Sequence, residues 1–197
     1  EWPIALFPDA DGQCYSGTAC MIRHPVAGLT ERLELPAPAL FFAATAPFSQ
    51  HLATSVDRGR TWQRFPGNPV VPNIGEKDRD PKVVWHEDSG HYVMVLFVGS
   101  PDTYRFLRSK DLIHWSQQQW IKVMGHEPKA QNCWAPEIYY DAPTKRYLIF
   151  WSTTIPGRFP ETEQQRGDRS EGVVLNHRIY YVTTADFETY TDTKLFY

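Results

Sequence analysis

The chain has 197 residues, of which 42% are hydrophobic and 22% charged, with a formal net charge of −3. That composition supports one globular domain with a sizeable core. Mild acidity without a basic stripe argues against nucleic acid as a partner, and no apolar run reaches membrane-spanning length.

Residues Glu1 to Gln13 carry two prolines and read as a loop or edge segment, with no charged-then-apolar signal sequence; extracellular and cytoplasmic locations both stay open. Tyr15 to Ile22 reads as a strand, in which Gly17 marks the close approach of another backbone or of a ligand. Residues 24–38 are irregular. Ala39 to Thr45 and His51 to Val56 read as two strands joined by a turn at Pro47. No segment carries a helical period, so an almost all-β chain is expected.

Ser55-Val56-Asp57-Arg58-Gly59-Arg60-Thr61-Trp62 follows, matching the Asp-box pattern that closes hairpins in many β-propellers. Asp57 is expected to cap the turn through backbone amides, Gly59 to supply the permissive φ, and Trp62 to bury over the hairpin. This is a folding motif without chemistry of its own. Looser copies run from Ser109 through Asp111 to Trp115 and from Thr184 through Asp186 to Tyr190. The longer second interval contains residues 155–176, which read as an inserted loop whose acidic part, Glu161 to Glu171, is a solvated stretch.

A second repeat runs in phase. Pro81, Val83, Trp85 and Tyr92 match Pro136, Ile138, Tyr140 and Tyr147 in spacing. A period of about 55 residues with several short strands per unit is what four-stranded propeller blades produce. A β-sandwich is the competing fold, and the in-phase repeat counts against it. Only about three to four blades fit, so the chain is expected to be part of a longer protein or to close its open edges by association.

The chemistry is expected at Asp78-Arg79-Asp80-Pro81. Pro81 cannot donate to a ladder and is expected at a strand's first position, leaving Asp80 on the preceding loop. A carboxylate beside a guanidinium at a strand entrance suits sugar handling; a capped turn with a surface ion pair is the alternative. Cys14, Cys20 and Cys133 read as buried thiols, with Cys14 to Cys20 the pair that an oxidising compartment would bridge. No metal site or cofactor is expected, since no cysteine has metal-ligand spacing with histidine. Aromatic content is high at 14%, which serves a β core first and sugar-stacking platforms second.

Two families resemble parts of this chain. Trp2-Pro3-Ile4-Ala5-Leu6-Phe7-Pro8-Asp9, Tyr15-Ser16-Gly17-Thr18-Ala19, the Asp box, Gly67-Asn68-Pro69-Val70 and Arg79-Asp80-Pro81 resemble glycoside hydrolase family 32, the invertases, fructanases and levanases. From about Tyr104 onward, His126-Glu127-Pro128, Trp134-Ala135-Pro136-Glu137-Ile138 and Phe150 to Thr162 resemble family 43, the arabinosidases and xylosidases. Residues 1–197 are thus expected to form a single incomplete domain of five-bladed propeller type, family-32-like over 1–100 and family-43-like over 101–197. The implied activity is hydrolysis of furanosides, either β-fructosides or arabinosides.

Glycoside hydrolysis needs two carboxyl groups around the scissile bond. The family-32 resemblance makes Asp80 a transition-state stabiliser, and the family-43 resemblance makes it the general base. Under either, at least one essential carboxylate is missing, and little activity is expected of the isolated chain. Glu137 is the candidate second carboxylate, with a structural role in the blade opening as its alternative. Tyr15, Ser16 and Arg79 are expected to contact sugar and Trp134 to offer a stacking face. His126 and His177 are read as turn or surface histidines, with a place on a propeller axis as the other option. A non-catalytic carbohydrate-binding module and a half-propeller completed by another chain are the alternatives to an enzyme.

Overall fold

The computed structural model of the protein describes residues 4–75, 77–162 and 176–196. Among them are twelve strands and no helix, so the all-β expectation holds. The first sheet orders β1 (Cys14–Ile22), β2 (Ala37–Thr45), β3 (Phe48–Thr54) and β4 (Gln63–Arg64). The second orders β5 (Arg79–His86), β6 (His91–Phe97), β7 (Tyr104–Ser109) and β8 (Gln119–Ile121). The third holds β9 (Trp134–Asp141), β10 (Arg146–Thr153), β11 (Arg178–Thr184) and β12 (Lys194–Leu195), again in chain order. The chain divides into two compact units, one of Glu1–Gly99 with Arg105–Gln119, the other of Ser100–Tyr104 with Trp120–Tyr197.

In the first unit Ile22, Phe41, Leu52, Met94, Leu96 and Leu112 share one buried cluster. In the second, β10 shows how the sequence makes a half-buried strand: Tyr147, Ile149, Trp151 and Thr153 are buried in strict alternation. Tyr147 packs on Phe187 with ring centroids 4.7 Å apart.

All three Asp boxes join the third strand of a sheet to its fourth. Ser55 Oγ donates to Asp57 Oδ1 (2.8 Å), and the amide and hydroxyl of Thr61 donate to the two Asp57 oxygens at 2.8 and 2.7 Å. The looser copies make a related turn that is one residue shorter. Ile113 and His114 donate their amides to Asp111 Oδ1, and Glu188 and Thr189 donate theirs to Asp186 Oδ1. Trp115 Nε1 donates to Leu112 O (3.0 Å) and the Tyr190 hydroxyl to Phe187 O (2.9 Å).

The left-handed residue of the turn is the one after the aspartate: Arg58 (φ 62°), Leu112 (φ 68°) and Phe187 (φ 56°), with Gly59 (φ 87°) adding a second such residue in the first copy. Leu112 and Phe187 are buried, so core packing holds a conformation that glycine would take freely. Trp62 is only half-buried, against the expectation that it buries fully.

The first strand of every sheet carries the same irregularity. Cys14 pairs with Ala44 but Gly17 with Phe42; Arg79 pairs with Phe97 but Lys82 with Val95; Trp134 pairs with Ser152 but Glu137 with Phe150. Three steps on one strand face two on its neighbour, which is a β-bulge. This corrects the placement of Pro81. It is the third residue of β5, and Arg79 and Asp80 lie inside the strand. The bulge takes its nitrogen out of the ladder, removing the reason to keep it at the strand start. The irregular reading of 24–38 holds up to Pro36, β2 beginning at Ala37. β3 begins at Phe48, three residues before His51.

The three cysteines are free thiols. Only Cys133 is fully buried, and burial pushes both it and the half-buried Cys20 up to about 12. Cys14 and Cys20 lie on one extended strand, which sets them ~20 Å apart at about 3.3 Å per residue, beyond the reach of a disulfide.

Candidate functional site

Arg79 and Asp80 are placed by a lock that local sequence patterns do not reveal. Asp78 is 1% exposed and accepts from the amides of Ile74 (3.0 Å) and Gly75 (3.1 Å) and from Arg105 Nη1 (3.0 Å), all at Oδ2. Gln50 Nε2 on β3 donates to the Asp78 carbonyl at 2.9 Å. A side chain on Gly75 would place its Cβ 2.4 Å from Asp78 Oδ1, so only glycine fits. Buried and matched by Arg105, Asp78 serves the fold and fixes where β5 begins.

Asp80 then sits in the bulge with φ 56°, a left-handed conformation that aspartate tolerates better than most residues. Its carboxylate lies 3.5 Å from Arg79 Nε and accepts a hydrogen bond from the Ser16 hydroxyl of β1. Burial raises its pKa above the ordinary carboxylate range, opposed by the Arg79 charge and the Ser16 hydrogen bond. The Arg79 guanidinium lies 4.5 Å from the centre of the Phe97 ring, which holds it in place. Tyr15, next to Ser16, is 47% exposed and meets Phe48 edge-on at 5.9 Å. Ser16, Arg79 and Asp80 therefore form one cluster in the first unit. A partly buried carboxylate with a cation and a hydroxyl beside it can accept from sugar hydroxyls or from an attacking water.

Trp134 and Glu137 belong to the second unit. Trp134 is 40% exposed at the start of β9 and lies beside the His177 ring, centroids 5.2 Å apart. Glu137 is exposed and pairs with Phe150. By register Ala135 (φ 50°) stands where Asp80 stands in β5 and Tyr15 in β1, while Glu137 matches Lys82 and Gly17. His126 is exposed and lines a cavity of about 620 Å³ with Lys122 and Tyr190. Among the described residues no group of three or more potential metal-ligating side chains occurs. Of the acidic loop, Glu161 lies 3.5 Å from Arg178, and residues 163–175 fall outside the described residues.

Residues 48–197 match the family-43-related model described as a probable glycosyl hydrolase domain. The chain belongs to that family. Beside this glycosyl hydrolase match, the levanase of Bacillus subtilis is 40% identical over 116 residues, covering 58% of this chain and 17% of the levanase. The invertase of Schizosaccharomyces pombe is 29% identical over 143 residues, 68% of this chain and 25% of the invertase. The chain thus spans a quarter or less of the length of these two relatives.

Among solved structures, a β-fructofuranosidase from Schwanniomyces occidentalis superposes with a TM-score of 0.68 at 17% identity, covering 92% of this chain and 35% of that one. An α-L-arabinofuranosidase from Podospora anserina gives 0.54 at 13% identity, covering 97% and 54%. These likenesses show the fold: the three sheets are blades of the β-propeller type found in glycoside hydrolases.

Proposed function

We propose that these residues are the part of a furanoside-directed glycoside hydrolase that supplies Asp80 as a catalytic carboxylate. The observation that carries this is Asp80 itself, bulged out of β5, partly buried, and held between Arg79 and the Ser16 hydroxyl. Arg79, Tyr15 and Ser16 contact the sugar around it, and Trp134 offers a stacking face. Glu137 is the candidate second carboxylate. The names of the relatives, levanase and invertase, support a fructoside as the substrate. We also read residues 1–197 as one incomplete propeller domain, its N-terminal half nearer family 32 and its C-terminal half nearer family 43.

Hydrolysis of levan, sucrose and a chromogenic arabinofuranoside by the native chain and by Asp80→Asn tests this. The chain is expected to bind a furanoside and turn it over slowly, because two carboxyl groups are required. Asp80→Asn should lower the remaining rate by ~10²–10⁴-fold. Brisk turnover that survives Asp80→Asn overturns the role given to Asp80.

One observation favours a second reading, a carbohydrate-binding or assembly-dependent module. Ala135 occupies in β9 the place that Asp80 occupies in β5, so the third sheet brings no carboxylate to that position. On this reading another chain completes the site, and light scattering should give a mass above that of the monomer. A monomer with full activity removes it.

A further inference from the structure

His177 stands outside the cluster around Asp80, and its surroundings are built for more than packing. Asn132, buried just before β9, accepts the Thr154 amide at Oδ1 (3.2 Å), and the Gln131 amide donates to Thr154 O (3.0 Å). Those bonds fix Thr154 at the end of β10. Its hydroxyl and that of Ser152 both meet His177 Nδ1, at 3.2 and 2.9 Å. The ring is therefore oriented through one nitrogen. Nε2 makes no hydrogen bond among the described residues, and the ring is only partly buried. Against the same ring lies Trp134, tilted by 32° and 40% exposed. Ser152, which holds the histidine, is the register partner of Trp134 across β9 and β10.

We propose that Trp134 and His177 form one saccharide subsite, in which the indole stacks on the apolar C–H face of a sugar ring and His177 Nε2 exchanges a hydrogen bond with one of its hydroxyls. The ligand class is a neutral furanose or pyranose residue. Flat aromatic area beside a fixed polar atom matches a ring with one apolar face and a polar rim. The hydroxyls on Nδ1 do for the ring what outer partners do for any functional histidine: they fix its direction before the ligand arrives.

The inference rests on the carbohydrate reading above, but it fails separately. The test is calorimetric titration of the native chain and of Asp80→Asn, Trp134→Ala, His177→Ala and His177→Gln with a fructo-oligosaccharide and an arabino-oligosaccharide, with thermal unfolding as the check on folding. Trp134→Ala is expected to weaken binding about tenfold. His177→Ala should weaken it about fivefold, and His177→Gln, which keeps a hydrogen-bonding tip, should recover part of that loss. Asp80→Asn should leave the dependence on Trp134 and His177 intact. Binding by folded His177→Ala and Trp134→Ala that equals the native chain overturns the subsite, as does a native chain that binds neither saccharide. Binding that needs both residues, with hydrolysis indifferent to Asp80→Asn, overturns the catalytic reading and keeps the subsite.

Discussion

Asp80 is held between two opposing influences, and their balance has a measurable sign. Burial raises its pKa more than Arg79 and Ser16 lower it, so the folded chain holds the proton more tightly than the unfolded chain. Stability is therefore lost as pH rises from the ordinary carboxylate value, about 4, through the raised one. Asp80→Asn cannot ionise, and its thermal midpoint at neutral pH should equal or exceed that of the native chain. The difference should vanish below about pH 4. A midpoint clearly lower at neutral pH would make the Arg79 ion pair the dominant influence. The adjacency of Arg79 and Asp80 was legible because a carboxylate beside a guanidinium is a local pattern, whereas Ser16, which bonds Asp80 from β1, was named only through the family resemblance. Asp78 and Arg105 were not, since their pairing joins β7 to the entrance of β5 and leaves no mark in either neighbourhood. The contacts of His177 were hidden for the same reason: Ser152 and Thr154 reach it across a strand pairing.

The Asp box is where sequence and structure agree most closely at the level of the element, and where the physical reason differed. Its aspartates were found by spacing, and Gly59 was credited with the unusual backbone. In the two looser copies that conformation falls to Leu112 and Phe187, which the core pins. Leu112→Ala should cost roughly 3 kcal/mol in urea unfolding, the cost of a buried truncation, although the motif's hydrogen bonds stay intact. The box carboxylates also predict an acid effect. Amides of Thr61 and Thr189 hold Asp57 down to about 2 and Asp186 lower still. Their contribution is complete above the ordinary carboxylate value and is lost as pH falls through the depressed ones, so the urea midpoint should drop between about pH 4 and pH 2. No such drop would mean the turns are held by the core alone. The short strands β4, β8 and β12 had no sequence signal because two or three residues are too few to show alternation. Gly17 was readable as a close approach, and its neighbour is the backbone of Phe41. A Cβ there would stand 2.0 Å from that carbonyl, so Gly17→Ala should break the β1–β2 pairing and aggregate or fail to melt cooperatively.

For the molecule as a whole, one unit of construction is used three times: four strands in order, a box between the third and fourth, a bulge at the start of the first. The repeat made the blades readable, because both recurring motifs sit at fixed places within it. The bulge itself was invisible, since it lies in the first residues of each strand, where too little alternation precedes it for the shift to show. In β9 it keeps Ala135 left-handed at φ 50° although alanine brings no hydrogen bond to hold it there. Ala135→Gly should therefore stabilise the chain, by about 1 kcal/mol in urea unfolding. A loss of stability would place the burden on the methyl group instead. The left-handed backbone recurs at Asp80 and Ala135, which share one register position, and the side chain presented there differs between the two. Every alanine codon lies one base change from a codon for an acidic residue. A lineage carrying this fold can thus gain or lose a carboxylate at that point in one mutational step, with the backbone that would aim it already built.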